Sequence, residues 1–223
     1  MNLSPVWISL QTALTAIAFT FVLGLMAAKA VGTIRSARLR ALLDGLFALP
    51  LVLPPTVAGF FLLYIFGVKR PIGMFFLEQF GFKIAFSWSA TVLAAFVISF
   101  PLMYRSARGA LTQVDATLLD AARTLGRREW WIFLRLELPL AMPGVISGAV
   151  LAFARGLGEF GATAMIAGNI QGKTRTLPLA IYSAVAAGDM DGAYDYVLIL
   201  LAVSLLVVLG LGAFGKGGVR SGA

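Results

Sequence analysis

Asp115-Ala-Thr-Leu-Leu-Asp-Ala-Ala-Arg-Thr-Leu-Gly126 is a polar-faced stretch in an otherwise very hydrophobic chain, and nine residues after it comes Leu136-Glu-Leu-Pro139. Leu118, Ala122 and Leu125 fall at i, i+4 and i+7, one face of a helix. Asp115 stands where an N-cap or first-turn acid favours the helix dipole. Gly126 stands where a helix ends in a left-handed turn. Ala121 and Ala122 are small enough to let another surface approach closely. On the pattern alone two readings stand level: an amphipathic helix lying on a membrane, or a handle grasped from the water side by a soluble partner. Beyond Gly126, the residues up to Arg135 read as a charged linker that feeds the next apolar segment.

The rest of the chain sets the frame. It has 223 residues, 60% of them hydrophobic, a mean hydropathy of +0.91 and only 13% charged residues. A soluble domain of this length cannot hide so much apolar surface. Residues 6–28, 45–68, 84–104 and 196–215 carry no charge, and about 20 apolar residues cross a bilayer. Residues 138–154 are also neutral, then Arg155 and Glu159 intervene, then neutrality resumes to residue 172. The expectation is an all-α membrane protein forming a single transmembrane domain over residues 1–223. Its spans lie at about 6–30, 45–68, 84–105, 138–166 and 196–215, with a polar loop at about 111–137. The segment over 138–166 is expected as one broken or tilted helix. Residues 176–188 are too short a neutral run to span and suit a re-entrant or interfacial helix. The first segment lacks a basic n-region and a small-residue cleavage site, so it is expected to remain as a span.

Basic residues set the topology. Lys29, Arg35, Arg38 and Arg40 come after the first span, and Arg105, Arg108, Arg123, Arg127, Arg128 and Arg135 come after the third. Lys216 and Arg220 lie in the tail. The other side has Lys69, Arg70, Lys83, Lys173 and Arg175. The positive-inside rule then places the N-terminus outside, and the C-terminus and the 111–137 loop in the cytoplasm. The acidic stretch Asp189, Asp191 and Asp195 fits an external loop. The net charge of +8 belongs to this pattern and does not indicate nucleic acid.

Several functions are excluded. Without cysteine or histidine there is no disulfide, no thiolate metal site and no imidazole base or ligand. No Gly-x4-Gly-Lys-Ser/Thr phosphate loop is present. Neither catalytic residues, nor a metal site, nor a cofactor is expected, and any use of ATP needs another polypeptide.

Asp120-Ala-Ala-x3-Gly-x9-Leu-x-Leu-Pro139 resembles the Glu-Ala-Ala loop of prokaryotic ABC importer permeases. Asp120 replaces Glu and Leu136 replaces Ile, whereas Ala121, Ala122, Gly126, Leu138 and Pro139 match. The resemblance extends further. Leu49-Pro-Leu-Val-Leu-Pro-Pro-Thr-Val-Ala-Gly59, Ala85-Phe-Ser-Trp88, Ser99-Phe-Pro-Leu-Met103, Phe153-Ala-Arg-Gly-Leu-Gly-Glu-Phe-Gly-Ala162 and Asn169-Ile-Gln-Gly-Lys-Thr-Arg-Thr-Leu-Pro178 look like the molybdate permease family. Sulfate and tungstate permeases share part of this pattern. The resemblance implies a type I importer bundle in the inner membrane, working as a homodimer with its pathway on the two-fold axis. A coupling helix including Asp120, Ala121, Ala122, Leu125 and Gly126, with Leu138 and Pro139 beyond it, would dock on a separate ATP-binding cassette subunit. An external oxyanion-binding protein would deliver the substrate.

Other residues admit two readings each. Pro50, Pro54 and Pro55 are packing kinks or a bend that shapes the pathway or its gate; Pro139 and Pro143 are kinks or a hinge beside the coupling helix. Arg155 and Glu159, four apart, are a structural ion pair or a pathway element in which Arg155 offers positive potential to a dianion. Lys173, Thr174 and Arg175 form a solvated loop or meet an acidic rim on the binding protein. Trp7, Trp88, Trp130 and Trp131 suit an interfacial belt in contact with lipid, and Trp130-Trp131 alternatively brace the coupling loop on the membrane. Two rivals come from other classes. An ion-gradient-driven secondary transporter would use Glu159 as its ion site, and a membrane scaffold would use the loop only for recruitment.

Overall fold

A computed structural model describes residues 2–215, and every regular element among them is helical. The expected tail charges Lys216 and Arg220 lie outside the described residues. Helix α1 (Ser4–Gly32) has 29 residues. At about 1.5 Å per residue it exceeds the roughly 30 Å hydrocarbon layer. Helix α5 (Trp88–Thr112) runs parallel to it. The buried Thr12 and Thr91 hydroxyls bond at 2.8 Å, as do Thr20 and Ser99 at 3.2 Å, both at a separation of 79 residues. The same register sets Gly24 against Met103.

A helix runs unbroken from Glu129 to Leu157. It comprises α7 (Glu129–Ile132), a π-helical turn (Phe133–Glu137) and α8 (Leu138–Leu157). Helix α8 packs antiparallel on α5 along a seam of small residues. Gly144 abuts Ala110, Gly148 abuts Ser106, and Gly156 faces Ala95 and Ser99. Small residues let the backbones approach closely enough for dispersion to hold helices together in lipid. Near the α8 start, Leu25, Ala28, Tyr104, Ala107, Ala141 and Val145 form one buried cluster.

The second span differs from the expected straight helix over 45–68. Helix α2 (Ala37–Val52) and helix α3 (Pro55–Phe66) meet at a bend of 110°. The cause is local. A residue before proline is pushed out of the α region, and here Leu53 precedes Pro54, which precedes Pro55. Both are extended, with ψ of 138° and 135°. Because α1 and α5 run parallel, this bent pair and helix α4 (Pro71–Phe80) return the chain to the start of α5. The bent pair thus serves as one crossing, beside four long apolar helices among the described residues.

The other boundaries shift for similar reasons. Helix α5 begins at Trp88, because Phe86 adopts φ 58° and donates its N–H to Ile166 O at 3.0 Å. The segment expected over 138–166 breaks after Leu157, and a short helix α9 (Gly161–Ile166) comes next. Helix α10 (Leu177–Ala186) is too short to span, as expected. Its first N–H donates to Ser9 Oγ, so it sits at the N-terminal end of α1. Helix α11 (Met190–Gly215) starts six residues before the expected span. The acidic stretch is therefore a helix start, not an open loop: Asp189 Oδ1 accepts the Gly192 N–H and Asp191 lies in the first turn, where acids favour the dipole.

A methyl group at Gly148 would meet Ser106 Cβ at 2.3 Å, whereas nothing lies within 4 Å of one at Gly45 on α2. Gly148→Ala should therefore lower the thermal unfolding midpoint in detergent, overpacking costing about 1–3 kcal/mol. Gly45→Ala should leave it unchanged or raise it, since alanine gains about 1 kcal/mol of helix propensity. Equal midpoints would disprove the tight seam.

Candidate functional site

The Asp115–Gly126 stretch is helix α6 (Ala116–Thr124), flanked by its caps. Asp115 Oδ1 accepts the Thr117 N–H at 2.8 Å. That bond holds the Asp115 carboxyl below its ordinary pKa. The cap is thus complete at neutral pH and is lost only as acid takes pH down through the lowered value. The far end closes with Gly126 at φ 73°. Arg123 then clasps α6 to the helix beyond it. Nη1 donates to Asp120 Oδ1 at 2.6 Å, and Nε and Nη2 grip both Glu129 oxygens at 2.7 and 3.2 Å. Exposed pairs contribute little singly, but a bidentate fork fixes orientation. Glu129 opens α7. The segment read as a charged linker is therefore mostly helix, and α6 is tied to an element continuous with α8.

The apolar face of α6 divides. Ala122 is its one buried residue and turns into the chain. Leu118, Ala121 and Leu125 stand outside, Leu125 at 80% exposure. A partner can touch those three, whereas Ala122 can act only through the helix's seating. Leu138 and Pro139 lie in the first turn of α8, with Leu138 packed on the buried cluster. Between the end of α5 and the starts of α6 and α8 lies a cavity of about 590 Å³, lined in part by Arg105, Ser106, Gln113, Asp115 and Pro143.

The other singled-out residues gather at a second place, where two broken helices cross. A methyl group at Gly161 would lie 3.1 Å from Pro55 Cβ, and one at Gly59 would lie 2.6 Å from Ala162 Cα. The start of α3 therefore packs directly on α9. Glu159 sits at the break, its side chain 2% exposed. Oε1 accepts the Ala162 N–H at 2.8 Å, and Oε2 accepts from Arg155 Nη1 at 2.7 Å. The carboxylate thereby satisfies one of the orphan N–H groups at the α9 start and neutralises Arg155. Arg155 remains 33% exposed. Pro54 and Gly158 are both exposed at this crossing.

In the loop after α9, Thr174 is fully buried and accepts the Ile170 N–H at 3.0 Å. It is an internal brace, not a solvated residue. Arg175 Nε donates to Asn169 Oδ1, leaving Lys173 exposed. Trp7 and Trp130 are exposed, whereas Trp131 lies under the Arg127 guanidinium at 4.8 Å.

Among the contacts that escape sequence reasoning are two charged ones that join distant helices. Tyr104 donates to Asp44, which Arg108 also grips, joining α2 to α5. Lys29 of α1 pairs with Glu137 of the π turn. The only signal was an acid at the edge of a neutral run, and a basic residue that also served as a topology marker.

Residues 20–216 match the family described as the inner-membrane component of binding-protein-dependent transport systems. The chain belongs to this family. It is therefore a multi-pass inner-membrane transport component. It shares 49% identity over 171 residues with the molybdenum transport system permease protein ModB of Escherichia coli (strain K12), covering 76% of this chain and 75% of that one. ModB of Mycobacterium tuberculosis is 46% identical over 206 residues, covering 92% and 77%. Among solved structures, the MetNI methionine ABC transporter in an inward-facing conformation superposes with a TM-score of 0.75 at 18% identity, covering 97% of this chain and 95% of the other. That likeness establishes the fold as an ABC importer permease bundle.

Glu159→Ala would strand both Arg155 and the Ala162 N–H. It should lower stability by about 1–3 kcal/mol, the penalty for an unsatisfied buried group. Glu159→Gln keeps an acceptor and should lose less. Thermal unfolding in detergent compares them, and identical midpoints would remove Glu159 as the organiser of the break.

Proposed function

We propose that this chain is the permease subunit of an ATP-driven importer that carries molybdate into the cell. The observation that carries this reading is the clasped helix α6. It is capped, tied through Arg123 to the α7–α8 helix, and presents Leu118, Ala121 and Leu125 outward. Such a helix can receive force and hand it to a membrane span. The names of the relatives, molybdenum transport permeases in two bacteria, supply the substrate.

In this reading the N-terminus faces outward, and α6 lies in the cytoplasm, as the basic residues at that end suggest. Two copies of the chain form the pathway along a two-fold axis, and the exposed apolar surfaces of α2 and α11 face lipid or the second copy. Two ATP-binding subunits dock on the α6 helices, and hydrolysis takes place on them. An external binding protein delivers the oxyanion. The chemistry of this chain is conformational: it offers a dianion a wet route through hydrocarbon, with no covalent step.

The crossing of α3 with α9 suits the pathway. Irregular backbone at membrane depth is tolerated only inside protein or beside water, and transporters commonly place their routes at broken helices. Pro54 and Pro55 shape one wall. Arg155, held by Glu159, supplies positive potential without a full unpaired charge. Both Glu159 oxygens are engaged, which supports a structural carboxylate over the titrating site an ion-driven transporter would need.

The test is ATP hydrolysis by the complex of this chain with its ATP-binding subunit and binding protein, reconstituted in liposomes. Molybdate should stimulate it well above sulfate. Stimulation by sulfate alone would keep the importer and overturn the substrate. Tungstate matching molybdate would widen the substrate to both. In parallel, Leu118→Glu/Leu125→Glu should abolish co-purification of the ATP-binding subunit while leaving the permease folded. Retained co-purification would overturn α6 as the dock.

A further inference from the structure

Lys29 and Glu137 meet across the joint between the docking helix and the membrane core. Lys29 lies in the last turn of α1, and Glu137 ends the π turn Phe133–Glu137. Lys29 Nζ donates to Glu137 Oε2 and stands 5.1 Å from the centroid of the Phe133 ring. The cation thus touches the first and last residues of the turn. The Glu137 side chain is only 9% exposed. A carboxylate at that depth is costly unless paired, and removing its partner leaves an uncompensated charge. Nothing in packing alone requires it: α1 and α8 already share an apolar cluster there.

The turn itself matters. A π turn is a single-turn anomaly within an α-helix, found disproportionately at functional sites. Its wider ring of hydrogen bonds makes it the point where a long helix can shift register or lengthen. Here it lies between two rigid attachments. On one side Arg123 locks α6 to Glu129, the first residue of α7. On the other, α8 is seated on α5 through Gly144 and Gly148. Besides its short covalent link to α5, α6 connects to the core through α7, and along that route a displacement reaches the π turn before it reaches α8. A free turn would absorb that displacement. A turn pinned at both ends to α1 would pass it on, and α1 is itself bonded to α5 at Thr12 and Thr20.

We propose that Lys29 and Glu137 are the positioning pair that stiffens the π turn, so that movement of α6 drives the α1–α5 core. This rests on the reading of α6 as the dock for an ATP-binding subunit. The pair touches neither substrate nor nucleotide. It sets how much transport each ATP achieves.

The test uses the full complex in liposomes, with molybdate as the probe, and measures both ATP hydrolysis and molybdate accumulated per ATP. Lys29→Met and Glu137→Gln should still co-purify with the ATP-binding subunit and still hydrolyse ATP. They should accumulate about tenfold less molybdate per ATP, a fold-change of the size that coupling free energies between sites span. The reversed pair, Lys29→Glu/Glu137→Lys, should recover most of it. Single variants with wild-type molybdate per ATP would overturn the proposal. So would a reversed pair that restores assembly and thermal stability but not molybdate per ATP, because the contact would then be structural only. Should a single variant fail to assemble, the reversed pair decides by the same two readouts. If the wild-type chain brings down no ATP-binding subunit, the docking reading itself falls, and the pair's role with it. That outcome is visible before any variant is compared.

Discussion

Every peptide group that enters hydrocarbon must find its hydrogen-bond partner within the protein, and most of this structure derives from that demand. Long helices meet it by construction, which is why α1, α5, α8 and α11 are nearly continuous. Where the chain breaks, a side chain or a neighbouring helix supplies the missing partner. Glu159 accepts an N–H at the start of α9. Ile166 O receives the Phe86 N–H. Ser9 receives the first N–H of α10.

Once helices are obligatory, association must come from close fit and from a few polar contacts, because apolar burial gives no advantage over lipid. The α5–α8 seam supplies the fit through glycines set against alanine and serine. The α1–α5 pair supplies the polar contacts through two hydroxyl bonds in one register. Together they make a three-helix core whose two ends do different work. One end carries charged clasps to α6, α2 and the π turn. The other holds the crossing of α3 with α9, built from small residues, prolines and one buried ion pair.

How much of this could be read from the residues depends on how local each cause is. Charge-free runs mark the spans because lipid forbids charges, so the spans were plain. The α6 helix was legible because its cap at Asp115 and its stop at Gly126 are written into the same short stretch. The Pro54–Pro55 break is legible because its cause is local, whereas its packing on α9, about a hundred residues away, is not. The α7 helix was missed because the arginines from Arg127 to Arg135 look like a linker, while Ile132, buried among them, anchors it. Ala122 sits on the predicted apolar face, yet which residue of that face is buried depends on how α6 seats against the rest of the chain. The Lys29–Glu137 pair joins residues 108 apart and has no local signature.

The unusual backbone at Phe86 ties these themes together. A bulky residue with positive φ is rare, and such a conformation costs on the order of 1–3 kcal/mol unless its surroundings hold it. Here it is held by Ile166 O and by the near contact with Gly168, both at the C-terminal end of α9. The turn before α5 is therefore held in its strained form by the end of α9. The surface at that end of the molecule, where Phe86 is 48% exposed, therefore takes its shape from a helix end about eighty residues on in the chain, about the separation at which α1 and α5 are bonded.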